Sequence, residues 1–306
     1  MATKQITRIN RKKISSSSRS SGPTRPTRRR LTLRERRART RLIITLVSFV
    51  LVIGAGIGVS RLSFSPAVSL NAISVRGNSL ISTDELLALI KEQTASAYLG
   101  VFSKNNSVLF PRGAVEEKIT DTYKTITRAN ISFNGLHTAT LVVEERKPSA
   151  LWCAGDAPAG TGDCFYMDQT GYVFDKAPQF NGAVYVAYFG GASGAQAGEQ
   201  SREPIGTQFL PPADFKKLTD FVTDVSRFGV KPVSVTVEQN GDGLIRLLSG
   251  GNILFSRTLD YNQTLENLQS IITSEQAKTR GTFLKRLDYV NVRFNGKAFF
   301  KLKPEN

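Results

Sequence analysis

One stretch limits what this chain can become more than any other. Residues 42–60, "LIITLVSFVLVIGAGIGVS", run for 19 positions without a charge between Arg41 and Arg61. As a helix the run is about 28 Å long, close to the hydrocarbon thickness of a bilayer. The competing reading is a cleaved signal peptide. Signal peptides have a short basic start, a shorter apolar core and a small-residue cleavage site, whereas 41 residues precede this core. We therefore expect a single uncleaved transmembrane helix over residues 42–60. Arginines crowd residues 28–41, and Arg61 stands alone on the other side. Basic residues near a span are retained in the cytoplasm. The expectation is a single-pass protein of the cytoplasmic (inner) membrane, N-terminus inside and residues 61–306 outside. Gly54 and Gly58 form a G-x-x-x-G pair, a spacing that lets two membrane helices approach.

The net charge of +16 invites a nucleic-acid reading, but its distribution opposes one. Residues 1–41 hold 15 Lys and Arg against one acid, Glu35, which accounts for +14 of the total. The remaining chain is close to neutral. Tail segments such as "SSSSRSSGPTRPTRRR" are too poor in apolar residues to form a core, so residues 1–41 read as a disordered cytoplasmic tail. Its partner by charge is the anionic lipid headgroup layer.

The orientation bears on the cysteines. The chain has two, Cys153 and Cys164, both on the outer side, where an oxidising compartment permits a disulfide. The flanking Leu151-Trp152 and Phe165-Tyr166 look like paired strands, which suggests a clamped hairpin. Two buried thiols are the alternative; a metal site lacks further ligands at useful spacing.

Residues 61–69 read as a linker. A strand follows at "NAISVR" and ends at Gly77. Ser82 and Glu85 carry the pattern of a capping box, and Leu86, Leu89 and Ile90 share one face of the helix it opens. A loop containing "YLGVF" leads to Pro111 at the start of a second helix, with Val115, Ile119 and Tyr123 on one side. Ala129, Ile131 and Phe133 alternate as a strand, Asn134-Gly135 turns the chain, and residues 140–143 return. Residues 70–148 thus read as a strand-helix-helix-strand-strand unit, two helices on one face of a three-stranded sheet.

At "VVEERKPSALWC" this sheet stops. Residues 144–147 are expected to leave it for water, and Pro148 cannot donate a ladder hydrogen bond. Strand structure resumes over Ser149 to Cys153, the start of a second sheet. We read the interruption as a domain junction carried by Glu145, Arg146, Pro148 and Trp152; a polar loop within one domain is the plainer alternative. Residues 149–306 then read as a β-rich domain with two helices, one through Phe215, Leu218, Val222 and Val225, the other through Tyr261, Leu265, Leu268 and Ile272. "CFYMDQTGYVF" is a hairpin turning at residues 168–171, and residues 190–204 a flexible surface loop. The final hairpin turns at Asn295-Gly296, with Val290, Val292 and Phe294 on one face. The fold class is α+β.

Residues suited to catalysis are sparse. The single histidine, His137, follows a turn and reads as a surface residue rather than a general base. Glu144 and Glu145 are adjacent and point to opposite faces of a strand. Asp168 reads as a turn former. No glycine-rich stretch has the setting of a phosphate cradle. No catalytic residue, cofactor site or metal site is expected.

Four segments in order resemble the bacterial cell-division family FtsQ, called DivIB in Gram-positive bacteria. "ISVRGNSLISTDEL" resembles the start of that family's POTRA domain. "VEERKPSALW" resembles its E-R-x-P-x-A-x-W junction, matched at Glu145, Arg146, Pro148, Ala150 and Trp152. "MDQTGYVF" resembles its D-x-x-G-x-V-F hairpin. "LDYVNVRFNGKAFFKLK" resembles its terminal strand and hairpin, with Asn291 where aspartate is usual. The likeness spans about residues 30–306; the cysteine pair, the loop at 190–204 and the long basic tail depart from it. It implies a POTRA domain over residues 70–148 and a non-enzymatic divisome scaffold. Such a scaffold binds FtsB- and FtsL-type membrane proteins outside the membrane and helps regulate septal peptidoglycan synthesis. Binding would use the C-terminal β region, where a strand at a sheet edge accepts a partner strand and Tyr289, Arg293, Phe294 and Phe299 supply specificity. The rival is that these side chains only pack the hairpin. Two other classes remain open. A POTRA-bearing translocation or assembly factor predicts repeated units or a barrel; a membrane-anchored cell-wall hydrolase predicts a cleft with paired acids or a metal triad.

Overall fold

The computed structural model describes residues 32–155, 163–191, 204–279 and 281–304. The disorder expected of the tail before residue 32, the interior of the loop between the cysteines and the flexibility expected of residues 192–203 lie outside these. The chain divides into two compact units meeting at residues 58 and 59.

The first helix, α1 (Leu33–Ser63), is 31 residues long and continues past both ends of the span expected at residues 42–60. The cause is local. The Glu35 carboxylate accepts from Thr32 N at 2.8 Å, and Thr32 Oγ1 accepts from Glu35 N at 3.3 Å, a reciprocal capping box that starts the helix nine residues before the apolar run. Arg34 to Arg41 are therefore helical rather than part of a disordered tail. α1 is long and apolar enough to cross a membrane. At its far end it continues through Arg61 to Ser63, into the segment read as linker.

A three-stranded sheet follows. Its elements are β1 (Ala72–Arg76), α2 (Thr83–Thr94), a small hairpin of β2 (Ala97–Tyr98) and β3 (Phe102–Ser103), α3 (Arg112–Thr122), β4 (Ile126–Phe133) and β5 (Thr138–Glu145). The "YLGVF" loop is thus partly paired. The strand order is β1-β5-β4, with β1 parallel and β4 antiparallel to β5. A parallel pair needs a long crossover, which α2 and α3 supply. Their buried Leu86, Ile90, Val115 and Ile119 pack on Ile131, Leu141 and Val143 of the sheet. Ser82 Oγ accepts from Glu85 N at 3.2 Å and caps α2. Gly77 has φ 84, and a Cβ there would sit 2.1 Å from the Val143 carbonyl oxygen, so only glycine closes β1 so near to β5.

The second sheet has nine strands: β6 (Ala150–Cys153), β7 (Cys164–Met167), β8 (Val173–Lys176), β9 (Ala187–Gly190), β10 (Pro232–Val237), β11 (Asp242–Leu247), β12 (Asn252–Ser256), β13 (Leu287–Phe294) and β14 (Lys297–Leu302). Their order across the sheet is β14-β13-β12-β11-β10-β9-β6-β7-β8. Helices α4 (Pro212–Ser226) and α5 (Tyr261–Lys278), with the short α6 (Phe283–Arg286), cover one face. There Phe215, Leu218, Phe221, Leu268 and Phe283 meet the inward side chains of Val235, Ile245, Phe255, Val290 and Val292. The other face has two parts. At the β6 end, Leu151, Cys153, Ala187 and Phe189 are buried under Phe180 and Tyr185. At the β11–β14 end, alternate residues of β11, Asn252 and Leu254 of β12, and Tyr289, Asn291 and Arg293 of β13 stay partly exposed. The whole is mixed α+β: one apolar N-terminal helix, then a sheet-rich region.

Candidate functional site

The terminal hairpin starts from period-2 sequence in which Val290 and Val292 are buried and Tyr289 and Arg293 lie on the open face. The expected continuation to Phe294 fails. The register between β13 and β14 shifts between Asn291 and Phe294, and such a bulge reverses which face the next residue occupies. Asn291 Oδ1 accepts from Arg293 N and from Arg293 Nε, each at 3.2 Å, and Arg293 Nη1 reaches Asp242 Oδ2 at 2.7 Å. Arg293 is thus committed to holding the bulge and tying β13 to β11. Its neighbour gains from this: Phe294 is 48% exposed and Phe299 is 53% exposed, and their rings meet edge-on at 5.9 Å. Phe300 faces the other way, onto Phe283 at 5.3 Å.

β13, which carries Tyr289 and Arg293, is interior, between β12 and β14. The edge itself is β14. Among the described residues no backbone hydrogen bond reaches β14 other than through its pairing with β13. Its outer amides and carbonyls are available to an added strand, beside an exposed aromatic pair.

The junction residues do something the sequence did not suggest. Residues 144–147 do not simply leave the sheet for water. The Glu145 carboxylate accepts from the backbone amides of Ser79, Leu80 and Ile81 at 2.9–3.3 Å and so pins the loop after β1. Arg146 turns toward the second sheet. Its Nη1 pairs with Asp168 Oδ2, its Nε donates to Lys124 O at 3.0 Å, and its guanidinium lies 4.1 Å from the Tyr172 ring centre. The Arg146 and Asp168 side chains are only 16% and 11% exposed. The other oxygen of Asp168 accepts from Thr170 N, Thr170 Oγ1 and Tyr172 N, forming the turn between β7 and β8. Burial pushes the Asp168 pKa up, but hydrogen bonds from Thr170, Arg146 and Tyr172 outweigh it, so the carboxyl titrates below its usual value. Pro148 is half-buried, and Ser149 N already pairs with Met167 O at 2.8 Å. Trp152 donates from Nε1 to Gly190 O at 3.2 Å and packs near Phe165 at 5.8 Å.

Cys153 and Cys164 face each other in the β6–β7 register and are disulfide-bonded.

Little in the described residues resembles a reaction centre. His137 is exposed, with Nδ1 3.1 Å from Ser69 O. No group of three or more His, Cys, Asp or Glu side chains able to hold a metal occurs among the described residues. A groove of about 450 Å³ between α4 and α5 is lined by Asp214, Phe221, Arg257 and Tyr261. Tyr261 stacks on Phe221 at 4.6 Å; burial, with Asp214 adding to it and Arg257 opposing, pushes its phenol up to about 12. A phenol so placed holds its proton at neutral pH and is poorly suited to act as a base.

Two features escaped the sequence reading. Thr32-Leu33-Arg34-Glu35 carried a capping-box pattern directly before the apolar region. Asp168 forms the turn its sequence setting suggests, but nothing local marks it as the partner of Arg146. No family model matches the chain, and no curated protein matches it.

Proposed function

We propose that this chain is a single-pass, N-in membrane protein of the FtsQ/DivIB type, a non-enzymatic division scaffold whose β14 edge receives a strand from an FtsB- or FtsL-type partner outside the membrane. The observation that carries the proposal is the free β14 edge with Phe294 and Phe299 exposed beside it. Strand addition uses main-chain hydrogen bonds for affinity and neighbouring side chains for choice of partner. An aromatic pair on the open face is the kind of anchor that dominates binding energy. The strand-helix-helix-strand-strand order behind an apolar helix is what a POTRA domain at residues 70–148 requires, and it supports the same reading. Tyr289 lies one strand in from the docked strand, opposite Lys301 of β14, and Arg293 acts indirectly, by holding the bulge that turns Phe294 outward.

The test is capture of the partner's extracytoplasmic segment by the full chain in nanodiscs. Phe294→Ala with Phe299→Ala should cut capture by about tenfold or more without altering the thermal midpoint. Undiminished capture by the double variant would contradict the proposal.

A further inference from the structure

We infer that the β2–β3 hairpin is a second membrane contact, its tip at residues 98–101 entering the headgroup region of the outer leaflet. This rests on α1 being a membrane span. The hairpin is bonded to the last turn of that helix. Ser60 Oγ donates to Val101 O at 2.5 Å, and Ser63 Oγ accepts from Ser103 N at 3.1 Å. The buried Asn106 side chain donates to both Ser63 O and Ser103 O, at 3.3 and 2.8 Å. Ser60 is the last residue of the uncharged run and Arg61 the first charge after it. Residues bonded to positions 60 and 63 therefore share their depth, at the boundary between hydrocarbon and headgroups.

The composition of the tip suits that depth and not water. Leu99 is 95% exposed and has φ 50, a left-handed conformation in which a bulky side chain is an outlier and glycine or asparagine is usual. Tyr98 and Val101 beside it are exposed, as are Leu62 in the last turn of α1 and Phe64 just after it. Two basic side chains accompany this apolar tip. Lys104 Nζ lies 5.1 Å from the Tyr98 ring centre and donates to Ser96 Oγ at 2.9 Å, and Arg61 is exposed nearby in sequence. Exposed apolar side chains accompanied by an aromatic ring and basic groups are the pattern of an interfacial anchor.

The test uses the full chain in vesicles of phosphatidylethanolamine and phosphatidylglycerol. Cys153 and Cys164 are bonded to each other, so Leu99→Cys provides one reactive thiol for an environment-sensitive fluorophore; Val50→Cys, within the apolar run, provides another in a separate preparation. Nitroxide lipids quench at either the headgroup end or the chain end. The expected result is blue-shifted emission from position 99 that is lost mainly to the headgroup-end nitroxide, with position 50 quenched mainly by the chain-end one. A water-like, unquenched label at 99 together with quenching at 50 would overturn the hairpin contact and leave the span standing. No quenching at 50 would remove the span, and the hairpin contact with it.

Discussion

The two ends of the nine-stranded sheet solve the same problem in opposite ways. An edge strand offers unpaired backbone, and folded proteins usually cover it or blunt it. At the β8 end the chain covers the start of it. Val173 N donates to Thr207 O at 2.9 Å, Gly206 N donates to Val173 O at 2.8 Å, and Tyr172 bridges to Gln208. The Gln208 side chain adds a bond to Thr170 O. At the β14 end no described segment does this. Its protection is lysine, at positions 297 and 301, which discourages pairing with a second copy of the same edge while leaving the backbone open. Among the described residues, one edge of the sheet is partly covered by its own chain and the other is not, which is the asymmetry the proposed strand addition relies on.

The β8 plug depends on the junction. Asp168 organises the turn that presents Tyr172 and Thr170 to the 205–208 segment, and Arg146 holds Asp168 in place. The largest effect we expect comes from Arg146→Met. Removing one member of a mostly buried pair leaves an uncompensated carboxylate and costs about 3–5 kcal/mol, readable by chemical denaturation. Amide exchange at residues 173–176 should accelerate while residues 297–302 stay unchanged. If the two edges respond alike, the division of roles between them is wrong.

Reducing the disulfide comes next. Replacing Cys153 and Cys164 with serine should cost about 3 kcal/mol on a chain-entropy account. It should loosen β6 and β7 and leave partner capture at β14 intact. A smaller effect is expected from pH. Asp168 has a depressed pKa in the folded state, so its contribution is present above the unfolded carboxylate value of about 4. That contribution is lost as pH falls through the lower folded value. Asp168→Asn should flatten this acid-side decline, measured as denaturation midpoints across mildly acidic to strongly acidic buffers. The smallest effect on stability belongs to Phe294→Ala and Phe299→Ala, expected within about 0.5 kcal/mol of the parent because both rings are half-exposed, although these changes weigh most on partner binding.

Those elements were legible whose cause is local. The uncharged run, the period-2 valines at 290 and 292, the helical spacing of Phe215, Leu218, Val222 and Val225, and the Asn-Gly turns each announce themselves within a few residues. The start of α1 was local too, in Thr32 and Glu35, but the arginines around it read as a solvated tail. What could not be read from neighbours depends on contacts far along the chain. Arg146 finds Asp168 across 22 positions and Arg293 finds Asp242 across 51. The covering of β8 by residues 205–208 and the placing of β14 at the edge follow from strand order, which a pattern of alternation does not encode. The bulge at Asn291 shows the limit most sharply: one shifted register moved Phe294 from the expected core face to the surface.

Amide hydrogen exchange on the full chain, with and without the partner's extracytoplasmic segment, tests strand addition most directly. The account predicts that binding slows exchange at residues 297–302 and leaves residues 173–176 as they were. Saturating binding with no protection at residues 297–302, or with protection at residues 173–176 instead, would contradict it.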